Sequence, residues 1–259
     1  MGIESSIQWT QASWNPWHGC VKVSKGCKFC YMYRDKERYG QDPSVVLKSK
    51  SKFNEPLKWK EPKLIFTCSW SDWFISNADE WRNDAWKIIK QTPHHTYQIL
   101  TKRPERILEH LPADWGTGYE NVWLGISAED QETYDDRIVY LSEIPAKVKF
   151  LSLEPLLSPI DIHNKSITGQ FLPSSPDWII VGGESGNDTG KYGYRPCELQ
   201  WISDIVSKCK ELEIPVFVKQ LGTHLGKAMK LKDRTGGDMD EFPQNIRIRE
   251  MPKSYLKAI

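Results

Sequence analysis

The sequence has no stretch of about 18 consecutive apolar residues, which excludes a hydrophobic segment long enough for a membrane-spanning helix. Residues Met1 to Trp9 show no basic run followed by an apolar one, so no secretory signal is expected and the cytoplasm is the expected compartment. There is no internal repeat and no low-complexity tract, which excludes a solenoid and a long disordered linker. Cysteine is scarce, with 6 in 259 residues. A reducing compartment disfavours a disulfide framework, so any cysteine cluster reads first as a metal or catalytic site. Net charge is also low, at +1.

The charge that is present is unevenly spread. Residues 22–63 carry a net +7, whereas residues 64–218 carry a net −9. A basic segment of this kind is either a solvated face or a rim for an anionic partner such as nucleic acid or a nucleotide. The chain also holds 12 tryptophans. Indole rings form base-stacking platforms, and they equally fill cores.

Near-continuous apolar runs that end in polar residues recur at 63–69, 96–102, 121–127, 148–154, 177–184 and 215–220. Strands buried on both faces have this pattern, which points to a parallel sheet. A further strand is expected at about Ile7–Asn15. Helical periodicity lies between several of these runs. "ADEWRNDAWKIIKQ" (78–91) places Trp81, Ala85, Ile88 and Ile89 on one face, and 196–213 does the same with Leu199, Ile202, Ile205, Val206 and Cys209. A weaker helix is expected at 130–144. The alternation gives an α/β class: a partial or full (β/α) barrel of about six to seven parallel strands, in the manner of a TIM barrel. One domain is expected over 1–259, with a basic insertion at about 41–62 and a C-terminal extension at about 223–259.

The strand ends are consistently polar: Ser69, Ser71 and Asp72; Lys102 and Arg103; Ser127; Glu154; Gly182, Gly183 and Glu184; and Lys219. In a barrel these ends line a site, although loops at any surface are polar. Lys102, Arg103 and Lys219 could hold a carboxylate or phosphate, or could pair with Asp72, Glu154 and Glu184.

Three of the six cysteines, Cys20, Cys27 and Cys30, fall within "GCVKVSKGCKFCY" (19–31). Zinc would require a fourth ligand, and His18 is near enough in sequence to complete a Cys3His set. An iron–sulfur cluster normally has four thiolates, and three would leave one iron open for a cofactor or substrate. Cys68, Cys197 and Cys209 sit in strand or helix patterns as small core residues.

The three-cysteine loop resembles that of radical S-adenosylmethionine (SAM) enzymes, in which three cysteines hold a 4Fe-4S cluster and SAM chelates the fourth iron. "CKFC" matches the Cys-x-aromatic-Cys ending of that motif, while the first gap, of six residues, is longer than the usual one. The segments "WNPWHGCVKVSKGCKFCY", "QILTKRP", "VWLGIS", "FLSLEPLL", "IIVGGESG" and "VFVKQLG" also resemble a phage-associated three-Cys-motif group (phage Gp37/Gp68-like).

The radical SAM resemblance implies a radical-SAM-like barrel with the cluster after the first strand and a helix starting at Tyr31–Tyr39. Phe29 would lie near the adenine, with Ser69, Asp72, Ser127, Glu154, Gly182, Gly183 and Glu184 as cofactor-binding residues. Lys102, Arg103 and Lys219 would join the cysteines as catalytic candidates. The reduced cluster would cleave SAM to methionine and a 5′-deoxyadenosyl radical, which would act on a nucleotide or nucleic acid. A flavodoxin or ferredoxin would supply the electron. Two other classes fit the same residues: a zinc-stabilised nucleic-acid-binding protein that uses His18, and a barrel hydrolase or lyase that uses Glu154 and Glu184.

Overall fold

The structure is a computed structural model that describes residues 5–163, 165–166 and 168–256. The chain forms two compact units. Of the described residues, the first comprises those up to Val23, Met32–Ile126 and Ile144–Lys147; the second comprises Ser24–Tyr31, Ser127–Glu143 and those from Val148 onward.

In the first unit, β1 (Ala12–Trp14) leads into a short antiparallel ribbon formed by β2 (Trp17–His18) and β3 (Leu47–Lys48). Helix α1 (Tyr31–Arg38) lies between the two ribbon strands in sequence and starts where the sequence places it. Parallel strands β4 (Leu64–Thr67), β5 (Thr96–Thr101) and β6 (Val122–Ser127) then follow β1 in register. Every residue of β4 and β6 is buried, as their unbroken apolar runs require. Helix α2 (Asp79–Gln91) crosses between β4 and β5 and buries Ala85, Ile88 and Ile89 as expected. Trp81 is only half-buried, and Trp86 and Arg82 occupy the inner face in its place. Arg82 can be buried there because it donates to the carbonyls of Trp73 and Ile75 and pairs with Asp79 at 2.6 Å.

Indoles fill the core of this unit. Trp14 and Trp17 pack on Trp73, Trp73 on Trp86, and Trp86 on Trp115, with ring centroids 4.9–5.8 Å apart. Nine of the 12 tryptophans are buried. The tryptophan content therefore reflects core packing rather than an exposed stacking platform, and Trp73 is unavailable for a base.

In the second unit, α3 (Gln131–Glu143) precedes the parallel strands β7 (Val148–Leu153), β8 (Trp178–Gly182) and β9 (Val216–Gln220). Helix α4 (Leu199–Glu211) crosses from β8 to β9 and buries Ile202, Ile205, Val206 and Cys209. The chain continues through α5 (Gly222–Ala228) and α6 (Lys253–Leu256). Part of the C-terminal extension pairs with β9: Val218 donates to the Ile248 carbonyl and Glu250 to that of Val216, each at 3.0 Å. This covers a strand edge that would otherwise expose unpaired backbone groups.

The class is α/β, with seven parallel strands, four in the first unit and three in the second. Within each unit the strands follow one another in sequence order, as in a segment of a (β/α) barrel and unlike the reversed order of a doubly wound sheet. No helix among the described residues is long and apolar enough to cross a membrane.

Candidate functional site

The cysteine loop begins in the first unit, where the β2–β3 ribbon ends. Gly19 takes φ +95, and a side chain there would strike the Val45 carbonyl, so only glycine fits this turn. The backbone around it is fixed on all sides. Gly19 N–H donates to the Trp70 carbonyl at 2.9 Å, Cys20 N–H to the Pro43 carbonyl at 2.9 Å, and Ser71 Oγ to the Gly19 carbonyl at 2.6 Å. Tyr33 Oη donates to the Cys20 carbonyl.

Arg103 reaches toward Cys20. Its Nη1 lies 3.9 Å from Cys20 Sγ and 3.1 Å from Asp72 Oδ2, and its Nη2 donates to the Val21 carbonyl at 2.7 Å. Both side chains of the ion pair are buried, at 9% and 7% exposure. Asp72 is saturated. Its Oδ1 accepts from Phe74 N–H and Thr101 Oγ1, and its Oδ2 from Lys102 N–H and Arg103. A carboxylate has about four lone-pair sites, so Asp72 has none left for an ammonium ion and its contribution passes through Arg103. Lys102 joins this cluster through its backbone. Ser69 accepts from Asn15 at 3.0 Å.

His18, beside Gly19, is half-buried, and its Nδ1 is buried without a hydrogen-bond partner among the described residues. Burial and then the nearby Lys36 ammonium hold its imidazole below the ordinary value.

Cys27 and Cys30 belong to the second unit, where Lys25–Cys27 form a 3-10 turn. Ser24 Oγ lies 3.8 Å from Cys27 Sγ and is hydrogen-bonded to Glu129 Oε1. Glu129 is fully buried; its Oε1 also accepts Gly26 N–H at 3.1 Å, and its Oε2 pairs with Arg137 at 2.9 Å. Arg137 also donates to the Ser127 carbonyl, which anchors that buried strand-end residue.

A second arginine holds the other side of the turn. Arg195 grips Glu184 through Nε (2.8 Å), Nη2 (2.6 Å) and its backbone N–H (2.9 Å), and its Nη1 donates to the Lys25 carbonyl at 2.8 Å. Its guanidinium lies 5.5 Å from the centre of the Phe29 ring. Phe29, the aromatic residue of the Cys-x-Phe-Cys ending, is therefore covered by the protein's own cation.

The remaining candidates lie at the ends of β7, β8 and β9. Glu154 and Lys219 form an ion pair at 3.2 Å. Gly182 leaves room for the Glu154 carboxylate, and Gly183 lets the Leu221 backbone approach. Both glycines thus serve close packing. Arg103, Lys219 and Glu184 are all engaged in internal pairs, and the sequence had left pairing and ligand recognition equally open.

The structure thus brings together Cys20, Asp72, Lys102 and Arg103 in the first unit. In the second it gathers Cys27, Phe29 and Glu184 around the 3-10 turn, and Glu154, Gly182 and Lys219 at the strand ends. Glu129, Arg137 and Arg195 received no role from the sequence. For Glu129 the available signal was a carboxylate just past an apolar strand, where burial demands a partner.

The six thiols divide cleanly. Cys20, Cys27 and Cys30 are half-buried, whereas Cys68, Cys197 and Cys209 are buried. Burial pushes the Cys197 and Cys209 thiols up to about 12 and raises Cys68 well above the usual range. The loop cysteines are thus the ones suited to act as thiolate ligands, and the Arg103 donor lies near the sulfur of Cys20. Among the described residues no group of three or more His, Cys, Asp or Glu is disposed around one point to hold a single metal ion.

Residues 4–246 match a family model described as "Protein of unknown function (DUF5131)". No curated protein and no solved structure matches the chain.

Proposed function

The chain belongs to the DUF5131 family, and from its own residues we propose that it is a radical SAM-like enzyme. Cys20, Cys27 and Cys30 would be the three thiolate ligands of a 4Fe-4S cluster. The observation that carries this reading is the division of the thiols: the three with access are the three in the Cys-x6-Cys-x2-Cys loop. Each thiolate of such a cluster binds a different iron, so its sulfurs need not surround one point as zinc ligands do. When bound, the cluster supplies one electron for reductive cleavage of SAM, and the protein supplies position and exclusion of water.

On this reading Arg103 serves the Cys20 sulfur, Ser24, Glu129 and Arg195 hold the turn, and Phe29 forms one wall of the site. Glu154 and Lys219 remain the polar pair at the strand ends. The substrate class is a nucleotide or nucleic acid. That choice rests on the exposed Lys22, Lys28, Lys48, Lys50, Lys52, Lys58 and Lys60 of the basic segment, and no longer on the tryptophans. A flavodoxin- or ferredoxin-like reductant and a cytoplasmic setting complete the proposal.

Anaerobic reconstitution with iron and sulfide, followed by metal analysis and a SAM-cleavage assay, tests it. Iron and sulfide in cluster ratio, with visible charge-transfer absorption, are expected for the wild type and not for Cys30→Ala. One equivalent of zinc, no absorption and no methionine released would overturn the reading.

One observation favours a second reading. The unpartnered His18 Nδ1 suits a Cys3His zinc site in a nucleic-acid-binding protein. His18→Ala separates the two: it loses metal if His18 is a ligand and keeps cluster iron if it is not.

A further inference from the structure

Arg103 occupies a position that its sequence context does not explain. Its guanidinium is held in a fork with one arm on the Val21 carbonyl at 2.7 Å and the other on Asp72 Oδ2 at 3.1 Å. The arm that touches Asp72 also approaches Cys20 Sγ at 3.9 Å. Asp72 is itself fixed by Phe74 N–H, Thr101 Oγ1 and Lys102 N–H, so the arginine is clamped from behind. A guanidinium stays charged at any working pH, and its planar fork can serve three acceptors in a way that an ammonium cannot.

We propose that Arg103 is a positioning residue that donates to the Cys20 sulfur and thereby raises the reduction potential of the cluster. This rests on the radical SAM-like reading above. A ligand sulfur becomes more negative when its cluster accepts an electron, so a nearby cationic N–H donor stabilises the reduced state more than the oxidised one. The step concerned is a one-electron transfer from an external reductant to the oxidised cluster, with no bond made or broken in the protein. The Asp72 carboxylate keeps the guanidinium from turning away, and the Val21 contact fixes the first residue of the six-residue gap.

The test is a redox titration of the reconstituted cluster, followed by electron paramagnetic resonance, in the wild type, Arg103→Lys and Arg103→Gln, with iron content measured in each. Both variants are expected to keep iron. At a fixed applied potential, the ratio of reduced to oxidised cluster should fall about tenfold or more in Arg103→Gln, a shift of about 59 mV to more negative potential. Arg103→Lys retains the charge but not the fork, and should shift in the same direction by less. Wild-type potentials in both iron-loaded variants would overturn the proposal while leaving the radical SAM-like reading intact. Loss of iron from Arg103→Gln together with a wild-type potential in Arg103→Lys would also overturn it, assigning Arg103 a purely structural role. A wild-type protein that takes up no cluster would overturn both.

Discussion

Glu129 occupies the space that a side chain at Gly26 would need. A methyl group on residue 26 would lie 2.7 Å from Glu129 Oε1 and 2.9 Å from its Cδ. The carboxylate cannot yield, because Arg137, Ser24 and the Gly26 N–H all hold it. Gly26→Ala should therefore cost about 1–3 kcal/mol, the range for overpacking a closed site. Gly193→Ala is the control, since a methyl there meets its nearest atoms at an ordinary 3.8 Å. Urea midpoints that fall equally for both variants would contradict the assignment. Glu129→Gln breaks a buried ion pair and should cost more, about 3–5 kcal/mol.

Thiol accessibility offers an independent check on the candidate ligands. Metal-free native protein should react rapidly with a maleimide at Cys20, Cys27 and Cys30 and slowly at the three buried positions. The buried thiols are slow because thiolate is the reacting species, and burial raises Cys197 and Cys209 to about 12. Intact-mass spectrometry should show three labels natively and six in denaturant. Rapid native labelling at Cys68, Cys197 or Cys209 would show that the thiols do not divide as the structure has them.

Much of the strand layout was legible because each strand is a short apolar run closed by polar residues. The run at 148–154 is β7 at Val148–Leu153, and that at 215–220 is β9 at Val216–Gln220. The N-terminal strand was overestimated. The backbone bond from Gln11 N–H to the Leu64 carbonyl is the last before Ala12, and Thr10 Oγ1 and Gln11 Oε1 take up the Leu64 carbonyl and N–H alongside it. The β2–β3 ribbon was invisible because two-residue strands carry no period. The clustering of Cys20, Cys27 and Cys30 was visible in the sequence, and their partial exposure came from the structure. The role of Asp72 was not, because convergence of two backbone N–H groups, a threonine and an arginine on one carboxylate depends on tertiary geometry. Glu184 and Arg195 are joined across a loop for the same reason.

That pair supports a third prediction. Glu184 is 6% exposed and accepts three hydrogen bonds from Arg195. Arg195→Ala would strand the carboxylate and should lower stability by about 3–5 kcal/mol. Arg195→Lys should recover only part of this, because a point ammonium cannot reproduce the two-pronged grip. If Arg195→Lys unfolds at the wild-type denaturant concentration, the bidentate geometry contributes nothing.

The last prediction concerns pH and His95. This ring is fully buried, its Nε2 lies 3.4 Å from the Pro56 carbonyl, and its Nδ1 has no partner among the described residues. Burial, followed by the adjacent His94, holds it below its ordinary value of 6.5, outweighing the carbonyls of Pro56 and Trp59. The folded state therefore binds fewer protons than the unfolded state in the window below 6.5. Its neutral ring favours folding fully above that value, and stability falls as acid charges the unfolded chain. The slope is bounded by one proton, or about 1.4 kcal/mol per pH unit. Unfolding free energies of the wild type and His95→Asn, measured at matched pH values above and below 6.5, should converge on acidification. A difference that stays constant or widens would mean that His95 is protonated in the fold, which would require an acceptor for both ring nitrogens.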